Sequence, residues 1–231
     1  MSGTLFLIPT PIDEISPLEG MALSLLQKAA AEEHENSLFL IEDLKPGRRR
    51  WLRFGLPRES VDKFILFNEH TATDKLCHEL ISELKLGKNL YLMSDGGLPA
   101  FCDPGANLVD LCHQNKVRVT STPFANSVSL ALALSGFSHD RFVFFGFLSR
   151  DKEIRKQELG EIKDERRTVI LMDTPYRLKR VLEEVQDFGR EIFLAMDLGS
   201  ENEELLRGSA RQVISKLKDY KREFILIFKT K

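Results

Sequence analysis

Residues 90–105, LYLMSDGGLPAFCDPG, decide how the rest of the chain is read. Leu90, Tyr91, Leu92 and Met93 form the short apolar run of a buried strand. Gly96, Gly97, Pro99, Pro104 and Gly105 then interrupt regular structure repeatedly. From Asn107 the pattern turns helical, with Leu108, Leu111 and Cys112 on one face. The order is strand, glycine- and proline-rich loop, helix. In an open parallel sheet, ligands bind beyond the carboxyl ends of strands, where such loops sit. Glycine lets backbone approach a ligand closely. Asp95 and Asp103 bracket the loop and can accept hydrogen bonds from hydroxyl or amine groups. The alternative is a tight connection whose aspartates only cap backbone amides.

Outward from this stretch, strand-like and helical segments alternate. Apolar runs at 5–8, 37–41, 64–67 and 117–120 predict strands, and 73–86 predicts a helix that Gly87 stops. Ser16-Pro17-Leu18-Glu19 reads as a capping box, opening a helix to about Ala31 that buries Leu18, Leu25 and Leu26. A domain boundary is expected at Thr122, giving parts 1–121 and 122–231. In the second part, helices are predicted at 127–134, 151–165, 174–187 and 209–220. Strands are predicted at 142–147, 168–172, 191–196 and 223–229. The fold class is α/β, with two packed sheets and a cleft between them.

The 231 residues fit one large domain or two small ones. Net charge is −2, from 33 basic and 35 acidic side chains, so any nucleic-acid site must be a local patch. No apolar run approaches a membrane span, and the start lacks the basic region of a signal peptide, so a cytoplasmic protein is expected. Cys77, Cys102 and Cys112 show no zinc spacing and suit a reducing compartment. No metal is expected. Cys102 is a packing residue or a reactive thiol. His70 is an acid or base near neutral pH, or a turn residue.

One dense basic cluster follows the 37–41 run: Arg48, Arg49, Arg50, Trp51, Leu52, Arg53. It could hold phosphates and stack a base on Trp51. The alternative is a helix with a solvated basic face and the tryptophan packed inward. No GxGxxG follows the first strand and no phosphate-loop lysine is present, which argues against a dinucleotide dehydrogenase and an NTPase.

The string SDGGLP…CDPG resembles the SDAGTP…SDPG signature of the tetrapyrrole-methylase superfamily, in its small-subunit rRNA ribose methyltransferase branch. Thr10-Pro11-Ile12 resembles TPIGNL, with Asp13-Glu14 in place of Gly-Asn, and Glu42-Asp43-Leu44-Lys45 resembles EDTR. Residues 123–127, PFANS, align with PGPSA, with Phe124 for glycine and Asn126 for serine. Ser135-Gly136-Phe137, Gly146-Phe147-Leu148 and Met172-Asp173-Thr174-Pro175-Tyr176-Arg177 resemble SGL, GFLP and YESPHR. Ala195-Met196-Asp197-Leu198 stands where the family has ARELTK, so Met196 and Asp197 depart from the pattern.

The resemblance implies two αβα domains with a cofactor cleft between them, S-adenosylmethionine as donor, and a homodimer. It implies donor contacts from Pro9, Asp95, Gly97, Leu98, Phe101, Asn126, Ser127, Met172, Ala195 and Met196, and Lys152 and Arg155 resemble a lysine–arginine pair of the family; with Arg48, Arg49 and Arg50 of the basic cluster they are the expected RNA contacts. The leading expectation is methylation of an rRNA ribose 2′-hydroxyl. Methylation of a small heterocycle or a protein side chain, and a donor-binding regulatory module without activity, stand beside it. A ribose hydroxyl is a weak nucleophile that a base would help. Asp43 is the expected base, with Asp95, Asp103 and Asp173 as rivals.

Overall fold

The computed structural model describes residues 2–31, 33–124 and 126–231. The chain forms two compact units, Met1–Phe124 and Ala125–Lys231. Each unit combines a five-stranded sheet with helices, so the expected α/β class holds.

The first unit runs β1 (Thr4–Ile8), α1 (Gly20–Ala31), β2 (Ser37–Ile41), α2 (Leu44–Arg53), β3 (Phe64–Leu66), α3 (Asp74–Lys85), β4 (Asn89–Met93), α4 (Ala106–Gln114) and β5 (Arg118–Ser121). Its five strands are all parallel, in the order β3-β2-β4-β1-β5. Strand alternation sends Ile8, Phe39, Ile41, Tyr91 and Met93 to one face, where α1 and α2 cover them with Ala22, Leu26, Ala29 and Trp51. Leu5, Leu40, Leu90 and Leu92 point to the other face, under α3 and α4. Both faces are buried, which is why these strands read as continuous apolar runs.

This layering fixes where a ligand would go. The chain leaves β1 and β2 toward the α1–α2 face and leaves β4, which lies between them, toward the α3–α4 face. Such a divergence opens a crevice at the carboxyl ends of the strands. Ile8, Met93 and Ile41 are in register, so the loops after all three strands start level.

The second unit runs α5 (Ser127–Ser135), β6 (Phe142–Phe147), α6 (Lys152–Asp164), β7 (Thr168–Asp173), α7 (Leu178–Val185), β8 (Glu191–Met196), β9 (Glu204–Ser209), α8 (Ala210–Lys216) and β10 (Phe224–Phe228). The sheet is mixed, in the order β6-β7-β10-β8-β9, with only β6 and β7 parallel. Ile170, Phe193, Ala195, Ile225 and Ile227 face α5, and Val169, Leu171, Leu194, Met196 and Leu226 face the core built by α6, α7 and α8.

Three expectations need correction. Strand β9 was not foreseen: ENEELLRGS carries too little β-branched or aromatic character, and the strand exists because it pairs along β8. Helix α1 begins at Gly20 rather than near Pro17, because the Glu19 carboxylate accepts from the Met21 and Ala22 amides and Ser16 instead donates its amide to Asp13. The segment 174–187 opens as a 3-10 turn, Pro175–Arg177, before α7.

Candidate functional site

The loop after β4 is tied to its neighbours at the level strand ends. Thr10 and Gly97 exchange two backbone hydrogen bonds, at 2.9 and 3.0 Å, joining the loops after β1 and β4. The buried Thr10 hydroxyl donates to the Ser94 carbonyl at 3.0 Å. On the other side of β4, the Asp95 amide donates to the Glu42 carboxylate at 3.0 Å. The Asn68 side chain in turn donates to the Glu42 carbonyl at 3.2 Å. Three carboxylates therefore gather around one strand end. Burial, then the charges of Glu42 and Asp43, push Asp95 up to about 6. Burial and Glu42 push Asp103 up to about 7, against a hydrogen bond with Ser94 that favours its charged form.

The loop backbone is constrained as well. Gly97 and Gly105 have φ of 97° and 136°, and Ala100 and Cys102 are left-handed at 63° and 68°. For residues with a Cβ that conformation costs about 1–2 kcal/mol each, so packing and the Thr10 bridge must hold it. A Cβ at Gly97 would meet nothing within 4 Å, which leaves an open backbone face. Leu98 is half-buried and Phe101 is 37% exposed beside it. Cys102 is exposed rather than packed. It helps line a depression of about 360 Å³ with Phe67, Glu69, Asp103 and Asn107. Pro9 is buried one residue after β1.

The basic cluster behaves differently from the phosphate-binding expectation. Trp51 is fully buried on α2, donates its ring N–H to the Pro57 carbonyl at 2.7 Å, and packs edge-on against Phe39 and Phe64. It cannot stack a base. Arg50 is 7% exposed and donates to the Pro11 carbonyl at 2.9 Å. Arg49 pairs with Glu14, and Arg53 donates to the carbonyls of Glu14 and Ile15. These three arginines clamp the loop after β1. Arg48 remains outside, 3.8 Å from Asp62. It borders a separate depression of about 550 Å³ on the outer side of α2, lined also by Leu52, Arg58 and Glu59. Asp43 is the N-cap of α2, its carboxylate accepting from the Lys45 amide at 3.0 Å. His70 is an exposed turn residue whose amide donates to Asn68.

In the second unit, Asn126 caps α5 through the Ser129 amide at 2.8 Å, and Ser127 is the first residue of that helix. Phe124 is not among the positive-φ positions, so its backbone does not call for the family's glycine. Ala125 of the same connector lies outside the described residues. Met172 and Ala195 point to the α5 side of the sheet, whereas Met196 points into the opposite core. The side chains of Ala195 and Met196 cannot both meet one ligand, because successive strand residues face opposite ways. Asp197 is left-handed at φ 47° and its carboxylate accepts from Arg222 at 2.6 Å.

Arg155 is 2% exposed. Its guanidinium holds Glu184 at 2.7–3.1 Å and reaches Asp173 at 3.4 Å. The same Asp173 accepts from Arg177 at 3.2 Å. Arg155 thus fixes the segment after β7 and is not presented to RNA, while Lys152 stands exposed at the start of α6.

The family described as Tetrapyrrole (Corrin/Porphyrin) Methylases matches residues 22–214. The chain belongs to that family. It is a methyltransferase with the family's two-sheet α/β fold. It is 32% identical over 214 residues to "Ribosomal RNA small subunit methyltransferase I" of Bacillus subtilis (strain 168), covering 92% of this chain and 69% of that protein. The protein of the same name from Thermotoga maritima is 32% identical over 216 residues, covering 92% of this chain and 91% of the relative. Among solved structures, a diphthine synthase aligns over 99% of this chain and 90% of its own, with a TM-score of 0.68 at 12% identity. Uroporphyrin-III C-methyltransferase from Thermus thermophilus, complexed with S-adenosyl homocysteine, aligns over 98% and 97%, with a TM-score of 0.60 at 15% identity. At those identities the likeness concerns the fold.

Residue-by-residue reading had missed Thr10, Ser94 and Glu42 as parts of the strand-end cluster. Glu42 directly follows β2, and that position was the available signal. Asp43 drew attention instead because it adjoins the arginines. Among the described residues, no group of three His, Cys, Asp or Glu side chains could hold a metal ion.

Proposed function

We propose that this methyltransferase uses S-adenosylmethionine to methylate small-subunit ribosomal RNA at a ribose 2′-hydroxyl, with the donor held on the loop after β4. The observation that carries the proposal is the strand-end cluster itself. A side-chain-free face at Gly97, apolar Leu98 and Phe101, and the carboxylates of Glu42, Asp95 and Asp103 converge where the sheet's connections diverge. Flat apolar contacts suit an adenine, and carboxylates suit a ligand that carries an ammonium and a sulfonium. When bound, the donor supplies an electrophilic methyl group. The protein's work is to orient the acceptor and exclude water.

Pro9 and Asp95 stand in the proposal as donor contacts from the same unit. Asn126, Ser127, Met172, Ala195 and Met196 are carried over as donor contacts from the family resemblance, Met196 through its backbone. Asp95 replaces Asp43 as the proposed proton acceptor: its value near 6 suits a base working close to neutral pH, while Asp43 is engaged as a helix cap. For RNA, Arg48, Arg49 and Lys152 are exposed, Arg49 while pairing with Glu14, whereas buried Arg50 and Arg155 act by holding the segments they bridge. A homodimer in the cytoplasm is the assembly and compartment proposed on the resemblance. No helix among the described residues is long and apolar enough to cross a membrane.

The test is transfer of tritiated methyl from the donor to ribosomal RNA, metabolite and protein fractions. The proposal expects label in small-subunit RNA, within an alkali-stable dinucleotide, because a blocked 2′-oxygen prevents cleavage there. Label in the protein or small-molecule fraction would instead support those acceptors. Donor binding with no label in any fraction would support a regulatory module.

A further inference from the structure

Asp173 of β7 and Met196 of β8 pair with the same residue, Phe224 of β10, from its two sides. The segments after β7 and β8 and the segment before β10 therefore meet at one end of the second sheet. Two cation–aromatic contacts interlock the first and third of them. The Lys221 ammonium sits 4.8 Å from the centre of the Tyr176 ring, and the Lys179 ammonium, in the first turn of α7, sits 5.8 Å from that of Tyr220. Tyr176 nevertheless stays 78% exposed, so most of its ring is open.

This turn is braced from beneath. Arg155 and Arg177 hold Asp173, Arg177 also donates to the Leu148 carbonyl at 3.2 Å, and Arg180 holds Glu184 at 2.8 Å. Arg222, next to Lys221, is bound to Asp197 and Glu204. The arginines are consumed in holding the turn, while Lys179 and Lys221 are presented beside aromatic rings. The carboxylates beside them are Glu183, 4.0 Å from Lys179, Asp219, which accepts the Lys221 amide, and Glu223, two residues after Lys221.

We propose that this face docks a single-stranded RNA segment, with one base stacked on the open face of Tyr176 and its flanking phosphates against Lys221 and Lys179. The inference rests on the RNA reading above and deepens it. A lone exposed ring beside cations suits an unpaired base, whose π-face is free, whereas duplex RNA hides its base faces. A cation near the ring also adds attraction for the phosphate backbone. Arg155 is here a positioning residue: it fixes the turn that carries Tyr176.

The experiment is fluorescence anisotropy with a fluorescein-labelled oligouridylate, alongside titration with S-adenosylhomocysteine. Tyr176→Ala is expected to weaken oligouridylate binding about tenfold. Tyr176→Phe should stay within about twofold. Lys179→Gln with Lys221→Gln should flatten the salt dependence by roughly 0.7 per lysine. S-adenosylhomocysteine binding should be unchanged in all of them, which also reports that they fold. Unaltered RNA affinity in Tyr176→Ala, equal loss in Tyr176→Phe, or equal competition by polyglutamate and by oligouridylate would overturn the inference. Wild-type protein that binds S-adenosylhomocysteine but not oligouridylate would overturn it while leaving the donor site standing. Oligouridylate binding that depends on Tyr176 without S-adenosylhomocysteine binding would sink the donor site instead.

Discussion

The two sheet ends that carry the family's motifs are built from opposite materials. In the first unit, the end of β4 is shaped by backbone: a Thr10–Gly97 bridge, left-handed Ala100 and Cys102, and carboxylates whose charge the fold disfavours. In the second, the end of β7 is shaped by side-chain ion pairs centred on buried Arg155 and Asp173. Strain persists at the first end, and so does carboxylate charge that burial disfavours and that Arg50 and Arg49 offset only in part. Charge is already balanced at the second end. The difference teaches that the first end stores strain and disfavoured charge, whereas the second is held rigid by paired charges beneath its exposed Tyr176.

The largest effect that tests this contrast is Arg155→Ala. Removing one partner of a buried pair typically costs about 3–5 kcal/mol, and here it leaves Asp173 paired with Arg177 alone and Glu184 paired with Arg180 alone. Chemical denaturation should show a marked fall in the midpoint, and a loss below about 1 kcal/mol would deny the bracing role. A smaller effect separates the loop's glycines from its strained residues. A Cβ at Gly105 would lie 2.8 Å from Leu92 Cδ2 and 3.0 Å from Ala100 Cβ, so Gly105→Ala should destabilise by about 1–3 kcal/mol. Ala100→Gly should cost little or stabilise, since it removes a left-handed Cβ. A large loss from Ala100→Gly would mean that the conformation carries no strain.

The carboxylates give a pH signature of known sign. Asp95 and Asp103 titrate near 6 and 7 in the fold, against an ordinary 3.8. Between those values the folded state binds protons that the unfolded chain does not. This pair's contribution to stability is therefore fully present only below the unfolded value of 3.8 and is lost as pH rises through about 6 to 7. Melting curves from about pH 5 to about pH 8 should show that fall, and Asp103→Asn should reduce it. An unchanged pH dependence in Asp103→Asn would remove Asp103 from the cluster. The smallest effect belongs to the exposed Arg49–Glu14 pair: Arg49→Ala should cost no more than about 1 kcal/mol.

How much of this was legible depends on how local the cause is. The 90–105 stretch announced strand, loop and helix because apolar runs and Gly-Pro punctuation act within a few residues. The stop at Gly87 is equally local, whereas the cap roles of Thr73, Asn126 and Asp151 emerge only in the structure. Strand β9 was illegible because its pairing with β8 is its reason for existing. The arginine roles were illegible for the same reason. A run of basic residues looks like a surface, and only the fold shows Arg50 reaching Pro11 and Arg155 reaching Glu184 across 39 and 29 residues of chain. Likewise Asp43 looked more exposed to chemistry than Glu42, until α2 claimed its carboxylate as a cap.

The loop after β4 is the proposed seat of the donor. Hydrogen exchange of the backbone amides with and without saturating S-adenosylhomocysteine tests that most directly. The prediction is slowed exchange concentrated at residues 95–101, with the outer face of α2 unchanged. Protection confined to other segments, or none despite measured binding, would contradict it.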